Sequence, residues 1–90
     1  MRISIKKLSI TKFQVSVHSS AKTIHNVTIT DEVHQNLTKN KVTKKELLDF
    51  SFKFLLDREP NTSILSSFEL TVISRYFPEY FETVKNWCNK

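Results

Sequence analysis

The 90-residue sequence contains no glycine. Glycine-rich phosphate loops, the dinucleotide-binding fingerprint and the nucleophile elbow of serine hydrolases all require glycine, so the chain can form none of them. This absence argues against a nucleotide-binding enzyme of the standard types. Turns with a positive φ angle must then use Asn or Asp, and the candidates are Asn26, Asn40 and Asn61.

Cysteine and long apolar runs are also scarce. The one cysteine, Cys88, cannot form an internal disulfide, which suits a reducing compartment. No stretch approaches the ~20 apolar residues that span a bilayer. The first ten residues alternate charged and apolar side chains and lack the apolar core of a signal peptide. We therefore predict a cytoplasmic protein without membrane attachment.

Residues that could carry chemistry are present, but not at the spacings of known sites. The histidines His18, His25 and His34 form no HxxxH pair, and a single cysteine offers little to zinc. No serine has a base at a motif spacing. The sequence therefore predicts no catalytic residue, no metal site and no cofactor, in a protein that is not an enzyme.

The positive charge is concentrated in the first half of the chain. Residues 1–45 carry nine Lys or Arg and two acidic residues, a net charge of +7, whereas residues 46–90 have a net charge of −2. Such asymmetry favours an anionic partner for the first half. A solvated lysine-rich surface that maintains solubility explains it equally well, so both interpretations stay open.

Alternating apolar residues mark two strands in the first half. Phe13, Val15 and Val17 alternate with polar residues, and residues 23–30 are rich in β-branched side chains. The short polar link between these runs predicts an antiparallel hairpin. Residues 1–10 alternate weakly and are predicted to be a loose arm or an edge strand.

Several shorter helices are predicted around this hairpin. Thr30 or Asp31 can cap a helix over residues 32–38. A helix is also predicted over 69–76, although residues 71–73 would suit a strand almost as well. A last helix is predicted after Pro78, where apolar residues recur on one face.

The strongest helix signal lies in the middle of the chain. Thr43 and Glu46 form a capping box, and apolar residues over 47–56 cover well over half of the following helix, which ends near residue 57. A helix so apolar must be buried on most sides. We predict one α+β domain over residues 1–90, with an N-terminal antiparallel hairpin followed by about four helices around this central apolar helix.

One segment resembles a known family. Residues 51–80 read SFxFLLxREPNxSILxxFxLxVIxxYFPEY, which is similar to the hallmark of a family of small, uncharacterised bacterial proteins. The similarity covers roughly residues 23–80 and is most specific in FLLxREPxxSIL. It implies a bacterial origin and a folded domain, and it implies no chemistry because the family carries no assigned activity.

Four polar residues in this segment are candidates for a small cleft with a charge pair: Arg58, Glu59, Glu79 and Tyr80. The other interpretation is structural. Arg58 and Glu59 would cap helix ends and tie the intervening turn to a neighbouring helix, since a basic side chain suits a helix C-terminus.

The first functional hypothesis is a non-enzymatic protein-interaction adaptor or regulatory module, with an unidentified protein partner or as a homodimer. It requires that some aromatic side chains stay exposed. The candidates are Phe50, Phe52, Tyr76, Phe77 and Trp87.

The alternative is nucleic-acid binding. Residues 23–57 resemble a ribbon-helix-helix unit, in which two chains pair their strands into a ribbon that enters the major groove of DNA. The resemblance implies that Asn26 and Thr28 face the bases, while Lys22, Lys44 and Lys45 contact phosphates. Pairing with the preceding strand would conflict with it, because the hairpin occupies the edge that the ribbon needs. A small enzyme is the remote third alternative.

Overall fold

The chain has an α+β fold in the computed structural model, which describes residues 2–89. Within this range four strands form one sheet in the order β1 (Arg2–Lys7), β2 (Lys12–His18), β3 (Lys22–Thr28) and β4 (Ser67–Glu69). The first three are antiparallel neighbours, and β4 runs parallel to β3. The helices of the same range are α1 (Asp31–Thr38), α2 (Lys44–Leu56), α3 (Ile73–Tyr76) and α4 (Tyr80–Cys88), with 3-10 turns at Asn61–Ser63 and Leu70–Val72.

The predicted hairpin is confirmed. β2 and β3 pair antiparallel across a link of residues 19–21, with Phe13 opposite Val27 and Val15 opposite His25. At the N-terminus the edge-strand prediction is right, because β1 pairs along its whole length with β2. Met1 lies outside the described residues.

The two faces of the sheet differ because side chains alternate along each strand. The inner face carries Val15, Val17 and Val27, which are fully buried, together with His25. Helix α2 packs against this face, and the rings of Phe52 and His25 are 5.4 Å apart. The opposite face has no buried residue and is called the open face below.

Side-chain caps start the first two helices where the sequence predicts them. The hydroxyl of Thr30 accepts from the Val33 N–H (3.2 Å). At α2 the hydroxyl of Thr43 accepts from the Glu46 N–H, and the Glu46 carboxylate accepts from the Thr43 N–H at 2.9 Å. The hydrogen bond from the Thr43 N–H to the carboxylate is the largest cause that lowers the pKa of Glu46 below its ordinary value. Each of the two bonds of this box satisfies an N–H group that would otherwise be unpaired at the helix start.

The connection between α1 and α2 shows how the chain turns without glycine. Lys39 and Asn40 both adopt the left-handed conformation, with φ angles of 53° and 61°. The prediction is confirmed for Asn40. Asn26 and Asn61 are not among the positive-φ residues of the described range. The left-handed conformation costs a lysine about 1 kcal/mol. The link contains no glycine, which would adopt this conformation without that cost.

Helix α2 buries one broad side and leaves the other in solvent. Its buried residues are Leu47, Leu48, Ser51, Phe52, Phe54 and Leu55. The exposed side includes Lys53, which pairs with Asp49 across one turn. Two aromatic residues of α2 pack on α4: the ring centroids of Phe54 and Tyr80 are 5.3 Å apart, and the ring of Phe50 stacks on that of Trp87.

The helix predicted over residues 69–76 is wrong in its first half. Residues Ser67–Glu69 form β4, Leu70–Val72 form a 3-10 turn, and only Ile73–Tyr76 are helical. The Asn26 N–H donates to the Ser66 carbonyl (2.8 Å), which docks this segment beside β3. A pairing across forty residues leaves no local sequence pattern, so tertiary structure overrides the local preference.

Candidate functional site

The open face gathers the basic residues of the strands. Residues that are directly opposite in the register share a face, so Arg2, His18 and Lys22 form one row. Lys6 lies in a row with Gln14 and Asn26, and Lys12 in a row with Thr28 and Glu69. The face therefore carries four cationic side chains, Arg2, Lys6, Lys12 and Lys22, and one carboxylate.

The cations of this face are not neutralised. None of the four is in a salt bridge among residues 2–89, and all four are exposed. Between them lie Ser4, Ser16, Gln14 and Asn26, whose amides and hydroxyls can donate and accept hydrogen bonds. The one large apolar side chain on the described part of this face is Ile24, which is 46 % exposed. This composition suits contact with an anion and includes no Phe, Tyr or Trp side chain.

Three of the five residues predicted to contact nucleic acid lie on the open face: Lys22, Asn26 and Thr28. Lys45 lies at the start of α2, on the other side of the sheet. Lys44 is occupied, because its ammonium group donates to the Asp31 carboxylate and to the Ile10 carbonyl. The hydrogen bond from Lys44 holds the pKa of Asp31 below its ordinary value.

Sequence reasoning missed the contribution of Arg2, Lys6 and Lys12 to this surface. The side of the sheet on which Arg2 and Lys6 lie follows from the pairing of β1 with β2, which the weak alternation of residues 1–10 does not fix. The polar positions of β2 and β3 were already assigned to the outward face. The signal that could have found the rest is a lysine-rich strand beside two strands whose outward residues are also polar.

The ribbon-helix-helix prediction is not supported by this geometry. Strand β3, which would form the ribbon, pairs with β2 on one edge and with β4 on the other. A strand with both edges occupied cannot add a strand from a second chain. The outward orientation of Asn26 and Thr28 is right, but it belongs to an open sheet face.

Arg58 and Glu79 do come together, in a structural role. The guanidinium carbon of Arg58 lies 3.6 Å from the centroid of the Phe54 ring, and its NH1 group donates to the Phe54 carbonyl (3.0 Å). Its Nε lies 3.5 Å from the Glu79 carboxylate. Arg58 therefore satisfies a carbonyl at the end of α2 and ties that end to the residue before α4.

Tyr80 lies in the core and does not line a cleft. Its side chain is fully buried, and its hydroxyl is hydrogen-bonded to Ser51. Burial raises the pKa of the Tyr80 phenol well above its ordinary value. Tyr80 lies on the buried side of α4 together with Val84, and this position buries its hydroxyl as well as its ring.

Glu59 borders an apolar groove of about 120 Å³. The walls come from the end of α2 and from residues 63–77, chiefly Leu55, Ile64, Phe68, Val72, Ile73 and Phe77. Glu59 is the one charged residue of the lining and forms no salt bridge among residues 2–89. Leu65 and Tyr76 also line the groove and are 45 % and 63 % exposed.

Of the aromatic residues considered for an interface, Tyr76 is the exposed one. Phe52 is fully buried. Phe77 is half-buried, and Phe50 and Trp87 are half-buried against each other. The groove beside Tyr76 is therefore the aromatic surface that a partner can reach.

His25 connects β3 to the segment that precedes β4, beside the groove. The Leu65 carbonyl can only accept, so His25 Nδ1–H donates to it (2.7 Å), and the Thr23 hydroxyl donates to Nε2. The Asn61 amide donates in turn to the Thr23 hydroxyl and to the Ala21 carbonyl. No buried side-chain polar atom of residues 2–89 lacks a hydrogen-bond partner, and both ring nitrogens of His25 are used in this network, which indicates a structural role for His25.

In the described part of the chain, no three His, Cys, Asp or Glu residues lie close enough together to hold a metal ion. None of its helices has the length and apolar character needed to cross a membrane.

Comparison with protein-family models, with curated proteins and with solved structures gave no match. The resemblance of residues 51–80 to a bacterial family therefore stays a prediction.

Proposed function

We propose that the protein is a small non-enzymatic binding module that holds nucleic acid by its phosphate backbone on the open face. The observation that supports this proposal is the unneutralised set of Arg2, Lys6, Lys12 and Lys22 on an uncovered sheet face. In this proposal α2 is the central helix of the fold, and it packs on the inner face of the sheet, opposite the open face. Cytoplasmic location and bacterial origin are part of the same proposal.

The spacing of the cations suits an extended polyanion. Arg2 and Lys6 are four residues apart on β1, about 13 Å at about 3.3 Å per residue. Arg2 and Lys22 lie in one row two strands apart, which is about 10 Å. Several phosphates of one backbone can therefore be contacted together, whereas a single small anion would reach one cation.

The residues between the cations determine what kind of binding is expected. Single-stranded nucleic acid is usually held by bases that stack on aromatic side chains. The strand residues that face outward here include no Phe, Tyr or Trp, and His18 is the one aromatic ring among them. We therefore propose binding through the backbone, with little dependence on base sequence.

The salt dependence of DNA binding tests this proposal. Each phosphate contact contributes about −0.9 to the slope of log K against log salt concentration, so four contacts give about −3.5. The affinity for a duplex should fall roughly a hundredfold between about 50 and 200 mM salt. Replacing Lys6 or Lys12 by Gln should each reduce the slope by about 0.9, as measured by fluorescence anisotropy with a labelled duplex.

Lys85→Gln is the matched control, because Lys85 is an exposed lysine on α4, away from the sheet. It makes the same change in net charge and should leave the slope unchanged. The proposal fails if duplex DNA does not bind at low salt, or if Lys85→Gln changes the slope as much as Lys12→Gln. It also fails if anionic vesicles bind through these lysines and nucleic acid does not.

A protein-interaction role is the second candidate function. The observation that favours it is the apolar groove, where Tyr76 and Leu65 stay exposed beside Glu59. This surface is separate from the open face, so the two functions do not exclude each other.

A further inference from the structure

The loop between β1 and β2 exposes two large apolar side chains. Leu8 is 50 % and Ile10 is 67 % exposed. Lysines flank them on both sides, with Lys6 and Lys7 before the loop and Lys12 after it. Exposed apolar side chains that lie together in this way mark a contact surface.

The loop is held in one conformation. The N–H groups of Leu8 and Ser9 donate to the Lys12 carbonyl, and the Ser9 hydroxyl accepts from the Lys12 N–H. Lys44 donates to the Ile10 carbonyl (2.7 Å) from below. Because the backbone is already ordered, little conformational entropy is lost when the side chains are buried.

The groove has the complementary chemistry. Its walls are apolar, Glu59 supplies its one charge, and its volume of about 120 Å³ is close to that of cavities that hold one small apolar group. The side chains that fit are therefore one aliphatic group with a cation beside it. Leu8 or Ile10 with the neighbouring Lys7 offers this combination on the same chain.

We propose that a second copy of this chain is the occupant of the groove, inserting its β1–β2 loop beside Tyr76 and Glu59. The five large apolar side chains exposed within residues 2–89 support this assignment, since two lie in the loop and two at the groove. Such a contact joins two different surfaces. Two copies form a closed dimer if the loop of each copy reaches the groove of the other. Otherwise the copies form an open chain of molecules.

Sedimentation velocity over a wide concentration range tests the proposal on the whole protein. The wild type should show a sedimentation coefficient that rises with concentration. The double variant Leu8→Ser, Ile10→Ser and the single variant Tyr76→Ser should each weaken association by about tenfold or more, because each removes apolar surface that the proposed contact buries. These residues are exposed in the monomer, so the variants should fold, which circular dichroism checks.

Ile24→Ser is the matched control, because Ile24 is a comparably exposed apolar residue on the open face. It should leave association unchanged. Charge provides a second readout. Glu59→Lys should weaken association, and a higher salt concentration should weaken the association of the wild type but not that of Glu59→Gln.

Mixing two variants gives the decisive outcome. A loop variant keeps its groove and a groove variant keeps its loop, so the mixture should form a one-to-one complex that neither variant forms alone. The proposal is overturned if the wild type stays monomeric up to millimolar concentration. It is also overturned if the mixture forms no complex, or if association survives in either variant as in the wild type.

Discussion

The buried hydroxyl pair of Ser51 and Tyr80 allows a test of the core in which the direction of one hydrogen bond decides the result. The Ser51 hydroxyl donates to the Leu47 carbonyl at 2.7 Å, because a carbonyl can only accept. Its oxygen is then the acceptor for the Tyr80 hydroxyl, which is fully buried. The two residues are therefore not equivalent.

Removing each hydroxyl in turn should give unequal losses. Tyr80→Phe removes one hydrogen bond and leaves Ser51 satisfied by Leu47, so the expected loss is about 1 kcal/mol of unfolding free energy. Ser51→Ala leaves the buried Tyr80 O–H without an acceptor, and the expected loss is about 1–3 kcal/mol. The double variant should resemble Tyr80→Phe, because the stranded donor is gone.

Urea denaturation followed by circular dichroism measures these differences, and the thermal midpoint should fall by about 4–8 °C per kcal/mol. The double-mutant cycle then gives the coupling between the two hydroxyls. If Ser51→Ala is no more destabilising than Tyr80→Phe, the assigned donor is wrong. If the two losses simply add, the pair is not coupled.

Two further predictions follow from the same structure. Because the folded pKa of Tyr80 is raised above its unfolded value, the stability from keeping the phenol protonated is present below about pH 10 and is lost above it. The unfolding free energy of the wild type should therefore fall at alkaline pH and that of Tyr80→Phe should fall less; equal slopes would contradict this. Thr43→Ala removes half of the capping box and should cost about 1 kcal/mol, whereas Thr62→Ala, at an exposed position in a 3-10 turn, should cost much less in the same denaturation series.

The parts of the fold that sequence reasoning found are those with local causes. Thr43 and Glu46 satisfy helix N–H groups within four residues of themselves, and the alternation of Phe13, Val15 and Val17 is a property of one strand. Such signals need no knowledge of distant residues. They gave the first two helices, the hairpin and the helix after Pro78.

The parts that it missed depend on contacts between distant segments. β4 is only three residues long and exists because Ser66 accepts from Asn26 and Leu65 accepts from His25. Nothing within residues 63–70 distinguishes it from a turn. The groove was missed for the same reason, since its walls join the end of α2 to the segment that follows β4.

The candidate site was predicted in part. Alternation fixes the outward orientation of Lys22, Asn26 and Thr28, whatever the rest of the chain does. Lys44 and Lys45 were grouped with them by a resemblance that assumes a free edge on β3, and the pairing with β4 removes that edge. A surface formed by three strands requires their register, which the sequence leaves undetermined.

The charges that the first three strands place on the open face share one sign, and this is the basis for comparing a binding role of this face with a role in solubility alone. A half-buried sheet requires only that its outward residues be polar, and a surface of mixed charge keeps a protein soluble just as well. Here the outward charges of β1, β2 and β3 are all positive, and the one carboxylate, Glu69, comes from β4 at the edge. Charges of one sign on one face add their fields and attract an anion from a distance, whereas mixed charges cancel. The common sign of these charges is therefore the feature that supports the proposed polyanionic partner.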